Sequence, residues 1–167
     1  MTIKGGWNRA PINIKSMIDE LREDETPVVV VLYGDHMPWM GDNNCIYTEL
    51  GLDFDLSTEQ GFMDYYSTEY LIWANDSAKK ALGNDFTGEG PRISSCYLMN
   101  VLFEQLGWEG NAYMKLSNSV KERIPVINSG DLYIENGEYT KTLSDEGMKL
   151  AEKLSFAGYY LQNNLIY

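Results

Sequence analysis

At 167 residues, with 44% hydrophobic and 23% charged side chains, the chain has the proportions of a folded protein with a real core, which excludes a disordered or low-complexity polymer. Its 13 basic side chains against 25 acidic ones leave a net charge of −12 and no basic stripe, which excludes nucleic acid and anionic membrane surfaces as partners. The longest apolar run, Val28 to Tyr33, is too short to span a bilayer and no leader follows Met1. The chain is therefore expected to be soluble, with no secretion signal or membrane anchor of its own.

From Pro11 to Glu25 the apolar residues Ile14, Met17, Ile18 and Leu21 recur at helical spacing, and Thr26-Pro27 ends that helix. Val28 to Tyr33 is a continuous β-branched run bounded by Pro and Gly, which predicts a strand buried on both faces, as in a parallel sheet. Gly34-Asp35-His36-Met37-Pro38 closes it. Gly41 to Asn44 is turn material, Ile46 to Leu50 a short helix closed by Gly51, and few regular signals follow before Tyr66. Glu69 to Ala74 is a second strand ended by Asn75-Asp76, and Ser77 to Leu82 is one or two helical turns before a loop with three glycines.

Ser94 or Ser95 is expected to cap a helix whose face carries Leu98, Val101, Leu102 and Leu106, with Gly107 as its left-handed terminator. Asn111 to Arg123 is a further helix ended by Ile124-Pro125. Asn136-Gly137 between two β-rich arms, Leu132 to Thr140, predicts a hairpin with a type I′ turn. Ser144 then caps a closing helix bearing Met148, Ala151, Leu154 and Leu161. The fold class is α/β: a partial parallel sheet flanked by helices, followed by an antiparallel hairpin and a closing helix. Without a Pro- or Ser-rich linker, residues 1–167 form a single unit, with an α/β part over 1–125 and the hairpin plus helix over 126–167.

Asp35 and His36, the sole histidine, sit directly at the carboxyl end of the first strand, where open α/β sheets build ligand sites. A carboxylate oxygen beside an imidazole nitrogen suits Mn²⁺ or Zn²⁺, while a histidine bonded only to its neighbour is the plainer alternative. Ser57-Thr58-Glu59 and Ser67-Thr68-Glu69 are caps or turns, since no second histidine exists to serve as their base. Gly5-Gly6 and Gly88-Glu89-Gly90 match neither a P-loop nor a dinucleotide fingerprint. Trp7, Trp39, Trp73 and Trp108, with twelve tyrosines, either fill the core or stack on sugars. Cys45 and Cys96 are expected to be reduced packing thiols.

The segment Val28 to Pro38 resembles the strand and Gly-Asp-His-x-Pro motif of the lipoteichoic-acid-synthase-like sulfatases, members of the alkaline phosphatase superfamily. Three further blocks match in order: Tyr47 to Gly51, Tyr66 to Asn75, and Ser94 to Leu98 continuing through Gly107. The resemblance covers roughly Ile14 to Trp108 and departs at Glu69, where the family usually has proline. It implies an alkaline-phosphatase-like sheet and a divalent cation, Mn²⁺ above all, with Asp35 and His36 as two of its ligands. A threonine nucleophile would attack phosphodiester or sulfate esters, with a phospholipid or cell-wall polymer as substrate. The family's nucleophile and further ligands lie well upstream of the motif, and only 34 residues precede Asp35.

The resemblance therefore implies the C-terminal part of such an enzyme, with no catalytic residue of its own and silent alone. The parent would be membrane-anchored with an extracytoplasmic catalytic domain. The missing upstream strands leave one sheet edge free for self-association. The alternative is a non-catalytic module that binds a carbohydrate or a protein.

Overall fold

A computed structural model of the chain describes residues 10–52, 54–128 and 132–164, without the side chains of residues 10–13 and 44. Gly5-Gly6 and Trp7 lie outside the described residues. The chain is mixed α/β, and its contacts gather into two compact units, residues 1–87 and 88–167.

In the first unit, helix α1 (Ala10–Arg22) leads through an Asx turn, in which the Thr26 N–H donates to Asp24 Oδ1 at 2.8 Å, into strand β1 (Val29–Tyr33). A 3₁₀ turn over Asp42–Asn44 runs into the short helix α2 (Cys45–Glu49). Helix α3 (Glu59–Tyr66) starts at Thr58, whose hydroxyl accepts from Gly61 N–H at 3.0 Å. Gly61 is obligatory, because a Cβ there would stand 2.3 Å from the Asp55 carbonyl oxygen. Strand β2 (Tyr70–Ala74) and helix α4 (Asp76–Leu82) complete the unit.

The parallel pairing expected of β1 is not what the described residues form. β1 and β2 run antiparallel, from Val29 opposite Ala74 to Tyr33 opposite Tyr70. The expectation of burial on both faces is corrected too. Val29 to Leu32 are half-buried, Tyr33 is exposed, and Leu71 of β2 is 55% exposed. A run of valines satisfies an antiparallel edge as well as a parallel centre, so hydrophobicity alone did not separate them.

One buried side chain joins these pieces. Asn75, 1% exposed, donates from Nδ2 to the carbonyls of Leu21, Asp24 and Thr26 at 3.1, 3.0 and 2.8 Å. Its Oδ1 accepts from Val28 N–H at 3.1 Å and from Ala78 N–H at 2.9 Å, the second bond capping α4. The C-terminus of α1, the turn and the β1–β2 ladder are thereby tied to one amide.

In the second unit, a 3₁₀ turn (Ser95–Tyr97) opens helix α5 (Leu98–Leu106), which ends at Gly107 in the left-handed region as expected. Ser94 does not cap that helix with its hydroxyl. It forms a reciprocal pair with Ile127, accepting from the N–H and donating to the carbonyl at 2.7 Å each, and so borders strand β3 (Val126–Asn128). Helix α6 (Ala112–Arg123) is capped by Asn111 Oδ1 at 3.0 Å from Met114 N–H.

β3 pairs antiparallel with β4 (Leu132–Glu135), which forms the expected hairpin with β5 (Glu138–Thr140). Asn136 and Gly137 both have positive φ, 52° and 84°, as a type I′ turn requires. The closing helix α7 (Asp145–Asn164) starts at Ser144, whose hydroxyl accepts from Gly147 N–H at 3.0 Å.

The core of this unit is Tyr97, Val120, Ile124 and Leu143, flanked by Leu150, Ala151 and Leu154 of α7. Glu135, also buried, sits among partners: Arg123 Nε donates to it at 2.9 Å, and Ser144 donates its hydroxyl at 2.6 Å and its N–H at 2.8 Å. Cys45 and Cys96 are free, as expected of reduced thiols, but exposed, which corrects the expectation that they pack in the core.

Candidate functional site

β1 delivers its last residue to a turn that is clasped from β2's approach. Gly34 N–H donates to the Glu69 carbonyl at 3.1 Å, and Thr68 Oγ1 donates to the Gly34 carbonyl at 2.7 Å. A Cβ at residue 34 would meet Thr68 Cβ at 3.0 Å, so the motif's glycine permits this close approach. The bond to Gly34 uses only the carbonyl of Glu69, a group that proline also has, so the departure at that position leaves the clasp intact. Farther along, the Tyr47 hydroxyl donates to the Pro38 carbonyl at 2.7 Å and fixes the far end of the turn.

Between these anchors, His36 Nε2 stands 3.7 Å from Asp35 Oδ1, and both side chains are at least 75% exposed. A contact so exposed adds little stability, so the turn's shape is set by its anchors. His36 Nδ1 lies 2.8 Å from the Met37 carbonyl. A carbonyl can only accept, so this contact places a proton on Nδ1 and leaves Nε2 as the nitrogen with ligating capacity in the neutral tautomer. Metal-binding histidines are oriented in this way, by a second hydrogen bond to a backbone carbonyl. Two ligand atoms each about 2.1 Å from a tetrahedral cation stand about 3.4 Å apart, so the pair fits one cation after a small adjustment. It fits as half a cage: among the described residues no group of three His, Cys, Asp or Glu side chains could hold a metal.

Asp35 and His36 form the polar end of an open cleft of about 370 Å³. Its inner wall is Tyr47, 6% exposed, packed on Phe54 with ring centroids 5.2 Å apart. Tyr65 meets Phe54 edge-on at 5.4 Å and Tyr66 at 4.8 Å, while Phe62 supports Tyr66 from behind at 4.4 Å. Trp39 completes the rim and is 77% exposed.

Sequence reasoning named Trp39 among the aromatics but missed Phe54, Tyr65 and Tyr66 as neighbours of Asp35. The available signal was density, five aromatics between Tyr47 and Tyr66 in a stretch that lacked regular patterning. Of the other tryptophans, Trp73 is in β2 beneath the Arg22 guanidinium at 5.9 Å, and Trp108 is edge-on to Phe103 at 5.5 Å. Thr58 is a helix cap and Thr68 the clasp on Gly34, in line with the cap-or-turn reading.

The site is thus an exposed carboxylate and imidazole, 3.7 Å apart, at the mouth of an aromatic cleft. Among curated proteins the chain is similar to one described as "Putative cyclic beta-1,2-glucan modification protein" from Rhizobium meliloti (strain 1021). The two are 25% identical over 143 residues, 82% of this chain and 21% of that relative, so the chain spans about a fifth of the relative's length. No family model matches the chain, and no solved structure matches it. Among the described residues no helix is long and apolar enough to cross a membrane.

Proposed function

We propose that the chain is the C-terminal part of a divalent-cation-dependent enzyme of the sulfatase and phosphoglycerol transferase kind, acting on phosphodiester or sulfate esters of cell-envelope polymers. The observation that carries this reading is the corner at the end of β1, where His36 Nε2 and Asp35 Oδ1 stand 3.7 Å apart with Nδ1 committed to the Met37 carbonyl. A mixed oxygen and nitrogen donor pair suits Mn²⁺. A bound divalent cation would polarise the ester oxygens and lower the pKa of an attacking hydroxyl. The residues of this chain would supply two ligands and hold them in place through the Thr68 clasp on Gly34 and the Tyr47 bond to Pro38.

The nucleophile and remaining ligands would come from other parts of a longer protein, a view supported by the fraction of the relative that this chain spans. In that parent, strands from elsewhere would add in parallel to the edge of β1 opposite β2. The relative's name supports an envelope glucan as the polymer modified, with a phospholipid as a fitting donor and the catalytic region anchored outside the cytoplasm.

Calorimetric titration of the chain with Mn²⁺ tests the reading. Weak binding that disappears in Asp35→Ala and in His36→Ala supports it. Mn²⁺ binding that survives both substitutions, or that the unmodified chain lacks, overturns it.

A further inference from the structure

We propose that the aromatic side of the cleft beside Asp35 and His36 is a subsite for an uncharged sugar ring, a β-linked glucose unit of a glycan. Its placement beside a cation rests on the reading above, while the sugar contact itself stands on the cleft alone. The cleft's volume of about 370 Å³ falls at the small end of the range of small-molecule sites, about 300–1,000 Å³. Its aromatics divide into two sets. Tyr47 and Phe54 are packed wall, whereas Trp39, Tyr66 and Tyr65 keep 77%, 48% and 39% of their surface in solvent. Three wet rings converging on one hollow are poor core and a good platform.

Charge selects the occupant. Among the described residues no Lys or Arg lines the cleft, and the Asp35 carboxylate there would repel a free phosphate or sulfate. A sugar asks for no counter-charge. In β-linked glucose all ring substituents are equatorial, so both faces present C–H groups that stack on Trp39 and Tyr66. The hydroxyls at its edge would face the polar end of the cleft, where Asp35 and His36 stand. Tyr66 is held from behind by Phe62, so its platform is formed before any ligand arrives.

The test is titration of the full chain with cellotetraose, followed by calorimetry in EDTA and again in Mn²⁺, with a galactose-based tetrasaccharide as control. Because Trp39 and Tyr66 are exposed, their removal spares the packed wall, and circular dichroism checks each variant. The expected result is saturable cellotetraose binding without metal, weakened about tenfold or more in both Trp39→Ala and Tyr66→Ala, with Mn²⁺ binding unchanged in those variants. The axial hydroxyl of galactose interrupts one stacking face, so the control should bind more weakly.

No saturable cellotetraose binding up to about 10 mM, or equal affinity in folded Trp39→Ala and Tyr66→Ala, overturns the proposal. So does preference for an aromatic peptide over the sugar. Sugar binding without any Mn²⁺ binding sinks the cation reading and leaves this one standing; Mn²⁺ binding without sugar does the reverse.

Discussion

Truncating Asn75 to alanine would strip a hydrogen bond from five backbone groups at once: the carbonyls of Leu21, Asp24 and Thr26 and the amides of Val28 and Ala78. Since each buried group left unpaired costs about 1–3 kcal/mol, urea denaturation of Asn75→Ala should report a loss of about 3 kcal/mol or more. Asn75→Asp preserves shape but turns a donor into an oxygen facing three carbonyls. Its loss should exceed that of alanine and deepen as pH rises above about 4, where the unfolded carboxyl ionises.

Glu135 works in the opposite sense. The hydroxyl and N–H of Ser144, then the Arg123 guanidinium, hold its carboxyl down to about 2 from the ordinary 4.5. The charged form is favoured in the folded state, so its contribution is whole above pH 4.5 and drains away as pH falls towards 2. Thermal melting from pH 7 to pH 2 should show an acid limb that flattens in Glu135→Gln. Asp35 and His36 were legible because adjacency and a strand end are local facts. Asn75 was not, since the backbone groups it binds in α1, the turn and the residue before β1 lie 47 to 54 positions away.

Elements with local punctuation were legible. The Asn136-Gly137 turn, the Gly107 terminator and the Ser144 cap each rest on conformational or capping chemistry that a few neighbouring residues decide. Pairing was not, because periodicity does not encode strand direction, and the short β3 was hidden behind Pro125. The ladder's parity has a use. Gly34 N–H bonds to Glu69, and Asn75 N–H bonds to the Val28 carbonyl, so the even residues of β1 face β2 and the odd ones face the other edge.

Among the described residues no strand pairs with that other edge, which carries the Val31 N–H. The chain is expected to self-associate there. Val31→Pro removes a donor from that edge without touching the ladder to β2, so light scattering at high concentration should show association in the unmodified chain and its suppression in the variant. Monomeric behaviour of both would count against the edge.

At the scale of the whole molecule, the proposed function, which puts the nucleophile and further ligands elsewhere in a longer protein, predicts an absence. With Mn²⁺ present, the chain should not cleave an aryl phosphodiester or an aryl sulfate above background. A rate that vanishes in Asp35→Ala would overturn that expectation. The cleft was not legible as a place, because its rings come from β1's turn, α2, α3 and the loop between the two helices. Composition counts aromatics without saying which of them converge.

The Asn75 amide also sets how the first unit opens. The end of α1, the entry to β1 and the start of α4 share one carboxamide, so none of them can loosen without exposing the others' polar groups. The Val28 and Ala78 amides, fifty positions apart in the chain, should therefore trade deuterium in step, as one cooperative event in place of independent fraying.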